Sequence, residues 1–212
     1  MEVAVKIPTT IKERAELGDA LVRIPATWEE YLDIVEDCEF PTEYDNNEII
    51  LMSIASDPHE TIVANIITRL NLAVDDQMDM SVKGSKRHIF IPEYTKDYAP
   101  DVHVVKGQPI THTLRKGLTA NLNPWLVVEV LSPSTYKRDT KEKLPRYKKI
   151  PSLQHIIYIE QEYPFVTVYN RVRDSDVWEN IDYDKMKDYF LVAGKKIYLK
   201  DIYKKIIFKE AG

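Results

Sequence analysis

The spacing of apolar and polar positions changes along the chain, and each spacing predicts an element. The clearest is helical. Ile62, Val63, Ile66, Ile67, Leu70 and Ala73 recur at three- and four-residue steps, which predicts an amphipathic helix over about 58–77. Ser56-Asp57-Pro58-His59 opens it, with Pro58 where a missing backbone N–H is tolerated. A shorter helix is predicted over 27–37, where Thr27 and Glu30 have capping-box spacing and Trp28, Tyr31, Leu32 and Val35 share one face. A closing helix is expected over 201–208, and a short one within the first 25 residues.

Strands are predicted where β-branched and aromatic residues run together between turn formers. The candidates are 48–54, 80–82, 88–91, 100–105, 125–131, 154–160, 165–171, 178–183, 189–192 and 197–199. Glu43 to Glu48 reads as a polar turn, with Asn46-Asn47 at a hairpin corner. Residues 92–99 read as a polar connection and 106–123 as a loop region. The strands 154–160 and 165–171 pair naturally as a hairpin around Glu162-Tyr163-Pro164. Helices and strands alternating in this way, without a repeat or linker, predict one α/β domain. Residues 1–25, of mixed polarity and containing Pro8 and Pro25, are expected to form an N-terminal arm ahead of a single domain over 26–212.

Composition narrows the class. Apolar residues are 44% and charged residues 30% of the 212, an ordinary globular balance that argues against a disordered chain. The net charge of −5 argues against a constitutive, sequence-independent nucleic-acid binder. It leaves a nuclease open, because active sites gather carboxylates. Cys38 is the only cysteine, so neither an intrachain disulfide nor a cysteine zinc site is possible. The histidines lack metal-ligand spacing, which argues against a zinc hydrolase. No secretory segment or membrane-spanning run is visible, and a cytoplasmic protein is expected.

The candidate chemistry lies in the central strand. Trp125-Leu126-Val127-Val128 leads into Glu129, followed by Val130-Leu131, a Ser132-Pro133-Ser134 turn and a basic segment. A carboxylate inside a buried strand is costly unless paired or bound to a cation. Pairing with Arg138 is the plain alternative to a site. Asp101, at the start of another strand, could simply cap it; its partnership with Glu129 favours a shared hard cation. The basic residues Lys137, Arg138, Lys141, Lys143, Arg146, Lys148 and Lys149 could contact phosphates or form a solvated helix face. Tyr136, Tyr147 and Tyr158 are expected to pack in core and rim.

Pro100-Asp101, Val128-Glu129-Val130-Leu131-Ser132-Pro133-Ser134-Thr135, Arg138-Asp139, Lys143 and Tyr147 together resemble the Uma-two family of restriction-type endonucleases, in the PD-(D/E)XK nuclease superfamily. The resemblance runs from Thr27 to about Trp178. It implies a restriction-endonuclease-like α/β core, a mixed sheet flanked by helices with extra C-terminal strands. It implies a Mg²⁺-dependent endonuclease, with Mn²⁺ as a substitute, acting on DNA, and a possible homodimer because two strands take two sites. Asp101 and Glu129 would be the metal-binding acids, with Glu43 a further acid near the metal. Leu131 stands where the superfamily has its lysine, and Lys143 is the matching residue, acting on the attacking water. Glu48 and His59 match family positions with supporting roles. Pro145 departs from the pattern: it should make the helix start late or kink, so Lys141 or Lys137 could take the place of Lys143. Two other classes compete. One is a binding module on a nuclease fold that no longer cleaves. The other is a two-carboxylate glycoside hydrolase, which sheet-bound acids beside a lysine-rich segment fit less well than phosphate chemistry.

Overall fold

The computed structural model describes residues 7–84, 86–115, 117–173 and 175–208. These residues form a six-stranded sheet, a seven-stranded sheet and a two-stranded ribbon, flanked by helices. The order of the six-stranded sheet follows the chain through its hairpins. It contains β4 (Met80–Gly84), β7 (Val102–Lys106), β10 (Pro124–Leu131), β11 (His155–Glu160), β12 (Val166–Arg171) and β13 (Trp178–Tyr183), in the order β13-β12-β11-β10-β7-β4. β10 and β11 are parallel; β7 runs antiparallel to β10. The carboxyl ends of β10 and β11 and the start of β7 therefore share one end of the sheet.

Strand alternation divides β10 between two cores. Leu126, Val128 and Val130 pack against α3 (Asp57–Val74), through Ile62, Val63, Ile66, Leu70 and Ala73. The C-terminal ribbon, β14 (Tyr189–Val192) and β15 (Lys195–Tyr198), joins this side, with α5 (Leu199–Ile202). Val127 and Leu131 face the other way, against Tyr147 of α4 (Leu144–Tyr147) and Tyr98 of β6 (Lys96–Tyr98). Glu129 belongs by alternation to this second face.

The seven-stranded sheet has the order β1-β3-β2-β6-β5-β9-β8. It contains β1 (Val22–Pro25), β2 (Thr42–Asp45), β3 (Glu48–Leu51), β5 (Ile89–Ile91), β6, β8 (Thr111–Arg115) and β9 (Leu118–Asn121). Asn46 and Asn47 form the β2–β3 corner at φ 52° and 59°, the left-handed pair that a two-residue hairpin requires. α2 (Trp28–Ile34) packs on this sheet through Tyr31, and its Thr27–Glu30 capping box is formed in both directions.

Several expectations are corrected. Glu43 to Asp45 is strand, every residue of β2 being buried, and not an exposed turn. The segment 106–123 contains β8 and β9, and 92–99 contains a 3₁₀ turn (Pro92–Tyr94) and β6. Threonine-rich and charged strands lack the apolar run that announces a strand. The closing helix is a single turn, Leu199–Ile202, because the chain leaves helical geometry beyond it. Among residues expected in the arm, β1 pairs with β3, and α1 (Ile11–Ala15) carries a fully buried arginine. The Arg14 fork donates to the carbonyls of Met52, Gly18 and Ala20 at 2.7, 2.8 and 2.7 Å. A lysine has no planar fork to span three acceptors. Arg14→Lys is expected to lower stability by about 1–3 kcal/mol in denaturant unfolding; an unchanged midpoint would show that this clamp does not hold the N-terminal segment. No helix among the described residues is long and apolar enough to cross a membrane.

Candidate active site

The segment after β10 decides how the site is built. Pro145 has no N–H to offer the carbonyl four residues back. The chain accommodates it by widening: Arg138–Lys143 is a π-helix in which the Leu144 N–H bonds the Asp139 carbonyl, and α4 then begins with Pro145 in its first turn. A wider turn brings residues five apart onto one face. Arg138, Asp139 and Lys143 all become buried, whereas Lys137 and Lys141 stay exposed. Lys143 is thus the lysine that reaches Glu129, and the kink expected from Pro145 takes the form of a π-turn. Such turns recur at functional sites.

Lys143 is completely buried and its Nζ meets three carboxylates: Glu43 Oε1 at 2.8 Å, Glu129 Oε1 at 3.0 Å and Asp139 Oδ1 at 3.0 Å. The Tyr147 hydroxyl donates to the same Glu129 oxygen at 2.6 Å. Burial alone would push the Lys143 ammonium down; Asp139, Glu129 and Glu43 outweigh it and hold the pKa well above its ordinary value. Three carboxylates around one dry ammonium cannot all be equally well compensated. Burial pushes Glu129 up to about 8, with Lys143 opposing and Asp139, Asp101 and Glu43 adding to it. Glu43 goes the other way, to about 2: its burial is overcome by Lys143 and Arg138.

Arg138 explains that difference. Its Nε and terminal nitrogen donate to Glu43 Oε2 at 2.8 and 2.5 Å, and its other nitrogen reaches Asp45 and Glu142 at 3.3 and 3.1 Å. The remaining Glu43 oxygen also accepts the Ala99 N–H at 3.0 Å. Arg138 therefore pairs with Glu43 and not with Glu129, the plain pairing considered from the sequence. Glu43, expected beside the metal, lies across Lys143 from Glu129 with both oxygens engaged. Glu48 stays half-exposed and joins Arg23 at 3.1 Å, which also bridges Glu142.

Asp101 lies where the site meets solvent. Val102 pairs with Val128 across the sheet, so Asp101 falls beside Glu129. The Asp101 N–H points at Glu129 Oε2 at 3.4 Å, and Asp101 Oδ2 accepts the Val130 N–H at 2.7 Å. Its side chain is 19% exposed against 4% for Glu129, so anything entering from solvent meets Asp101 first. His59, from the first turn of α3, places Nε2 3.3 Å from Asp101 Oδ2. His59, given a supporting role by the resemblance, thus contacts Asp101. Asp139 carries no role visible in the sequence, and Tyr147, expected only to pack, also holds Glu129. The (i, i+4) spacing of Asp139 and Lys143 was the available signal, but it became meaningful only once both faced inward.

Asp101 and Glu129 offer hard carboxylate oxygens from neighbouring strands, a donor set that fits Mg²⁺, which needs only one or two protein carboxylates. Among the described residues no group of three or more His, Cys, Asp or Glu is arranged to hold a metal ion. The fit therefore rests on this pair alone.

The fold is a mixed α/β one, with mixed sheets flanked by helices, and it is shared with a solved protein. The crystal structure of a putative nuclease belonging to DUF820, from Anabaena variabilis, has the same fold, with a TM-score of 0.63 over 81% of this chain and 96% of that one at 19% identity. The chain belongs to the Uma2 family, described as putative restriction endonuclease, whose profile matches residues 28–193. An uncharacterized protein of Synechocystis, sll1609, is 32% identical over 146 residues, covering 68% of this chain and 80% of that protein.

Proposed function

We propose that the protein is a metal-dependent endonuclease that hydrolyses DNA phosphodiester bonds, as a cytoplasmic protein. The observation that carries this reading is that Asp101 and Glu129 sit side by side at one end of the sheet, the Asp101 backbone N–H directed at Glu129 Oε2, with Lys143 on the other Glu129 oxygen. Family membership supports the nuclease class. Asp101 and Glu129 would hold Mg²⁺, or Mn²⁺ in its place. Such a cation supplies a more acidic bound water and charge compensation at the phosphate. Lys143 and Tyr147 fix one Glu129 oxygen, and the other lies against the Asp101 backbone N–H. In this reading Lys143, fully buried, acts through Glu129, and Glu43 and Asp139 hold Lys143 in place. Two strands need two such sites, which a homodimer would provide.

One observation favours a second reading, a DNA- or protein-binding module that no longer cleaves: Lys143 has no exposed surface and all of its partners are already carboxylates. Incubation of DNA with wild type, Asp101→Asn and Glu129→Gln separates the two. The endonuclease reading expects cutting with Mg²⁺ or Mn²⁺, none with chelator, and at least about a hundredfold loss in each variant, the scale of losing a principal source of transition-state charge stabilisation. Folded wild type that cuts no DNA in either metal would favour the binding module. Equal cutting by all three proteins would remove Asp101 and Glu129 from the chemistry.

A further inference from the structure

The mouth of the site is unusual for a protein that grips duplex DNA. Its nearest cations, Arg138 and Lys143, are buried and shared among Glu43, Asp45, Glu129, Asp139 and Glu142, so they present nothing to a phosphate at the surface. Duplex affinity comes mainly from surface lysine and arginine neutralising two closely spaced backbones. Asp57 and Glu60 of the first α3 turn, and Glu162 after β11, are exposed at this same end. Lys137 and Lys141 are exposed cations of the segment that begins at Tyr136, and they can meet one backbone.

Hydroxyls and aromatic rings stand where duplex-binding cations would be expected. The turns after β10 and β11 lie together, because those strands are parallel and the Gln161 N–H meets the Leu131 carbonyl at 3.3 Å. Ser53 and Ser134 are joined at 3.1 Å, and Ser56, the N-cap of α3, donates to Gln161 at 3.1 Å. These contacts tie both turns to the end of α3 that carries His59 and so to Asp101. Each turn exposes a tyrosine: Tyr136 is 47% and Tyr163 50% exposed. The Tyr163 ring rests against Phe165, with centroids 6.0 Å apart, so it is supported and still open. From the sequence, Tyr136 is expected to pack in core and rim and Tyr163 to lie in a hairpin turn. Bases of an unpaired strand can stack on such rings without sequence preference, whereas bases inside a duplex cannot.

We propose that this site takes an unpaired DNA strand, whose bases stack on Tyr136 and Tyr163 while its single backbone passes the serine rim toward Asp101. The proposal rests on the nuclease reading above and names its substrate class. Half the charge density of a duplex meets the acidic rim with less repulsion, and stacking replaces the missing cations.

The test is equilibrium binding of labelled oligothymidylate and of a duplex of the same length, in Ca²⁺ at one fixed salt concentration. It uses the full chain, Tyr136→Ala/Tyr163→Ala, and Tyr136→Phe/Tyr163→Phe. The expected result is tighter binding of the unpaired strand than of the duplex. The alanine pair should weaken the unpaired strand by at least about tenfold, and the phenylalanine pair should retain it, as stacking on two rings requires. Duplex bound as tightly as single strand, or alanine variants that bind like wild type, would overturn the proposal and leave the nuclease reading standing. Folded wild type that binds neither DNA would overturn both.

Discussion

Glu43→Ala is expected to destabilise the fold by about 3–5 kcal/mol, the cost of leaving a buried charge without its partner. Glu43 is shared by Arg138 and Lys143: it takes two hydrogen bonds from Arg138 and one contact from Lys143. It also holds the Ala99 N–H, and so fixes β2 against the strand end that leads into Asp101. Removing it takes from the Arg138 guanidinium its two shortest hydrogen bonds, leaves only Asp45 and Glu142 on one nitrogen, and gives the buried group no exposed surface through which to recover water. The same ion pairs give a pH dependence of definite sign. The folded pKa of Glu43 lies near 2, below its ordinary 4.5, so its contribution is complete above about 4.5 and is lost as pH falls toward 2. Denaturant unfolding of wild type and Glu43→Ala should show a large gap at neutral pH that narrows in acid. A gap that stayed small at neutral pH would mean that Arg138 finds other partners, and Glu43 would lose its role as the anchor of the cluster.

Glu129→Gln is expected to behave in the opposite way. Burial raises the Glu129 pKa to about 8, so its charged form is the costly one in the folded state. Its contribution to stability is greatest below the ordinary carboxylate value and is lost as pH rises through about 8. A glutamine keeps the shape, carries no charge, and leaves Lys143 paired with Glu43 and Asp139. The variant should therefore be at least as stable as wild type at pH 8, with a difference that opens between about pH 4.5 and 8 and levels off above, while cleavage falls by at least about a hundredfold. A carboxylate whose charged form is disfavoured by burial, at the end of the strand beside Asp101, is what the proposed chemistry requires of Glu129. Thermal unfolding across pH, run beside the cleavage assay, checks both halves. A variant less stable than wild type at every pH would make Glu129 a structural ion pair, and the functional argument would lose its main support.

These opposite expectations also mark what the sequence could convey. The long helix α3, the capping box of α2, the Asn46-Asn47 corner and the central strand follow from local spacing, and local spacing is visible in one dimension. β6 was hidden because its burial depends on distant partners: Asp97 accepts from Tyr31 and His88, and Lys96 pairs with Asp45. No pattern within Lys96-Asp97-Tyr98 announces that. Asp101, Glu129 and Lys143 were legible as chemistry-bearing types in a strand-and-basic-segment pattern. Their division of labour with Glu43 and Asp139 was not, since it depends on a π-turn that rotates Arg138 and Lys143 inward together. Pro145 signalled an irregularity there; only the three-dimensional path shows that the irregularity builds the site.

The most direct test of the central claim is Mn²⁺ binding, followed by titration calorimetry on wild type, Asp101→Asn and Glu129→Gln without DNA. If the two strand-borne carboxylates hold the cation, wild type binds Mn²⁺ at a defined stoichiometry and each variant loses that binding while remaining folded. Variants that bind Mn²⁺ as wild type does would contradict the assignment, and with it the account of Asp101 and Glu129 as the metal-holding pair.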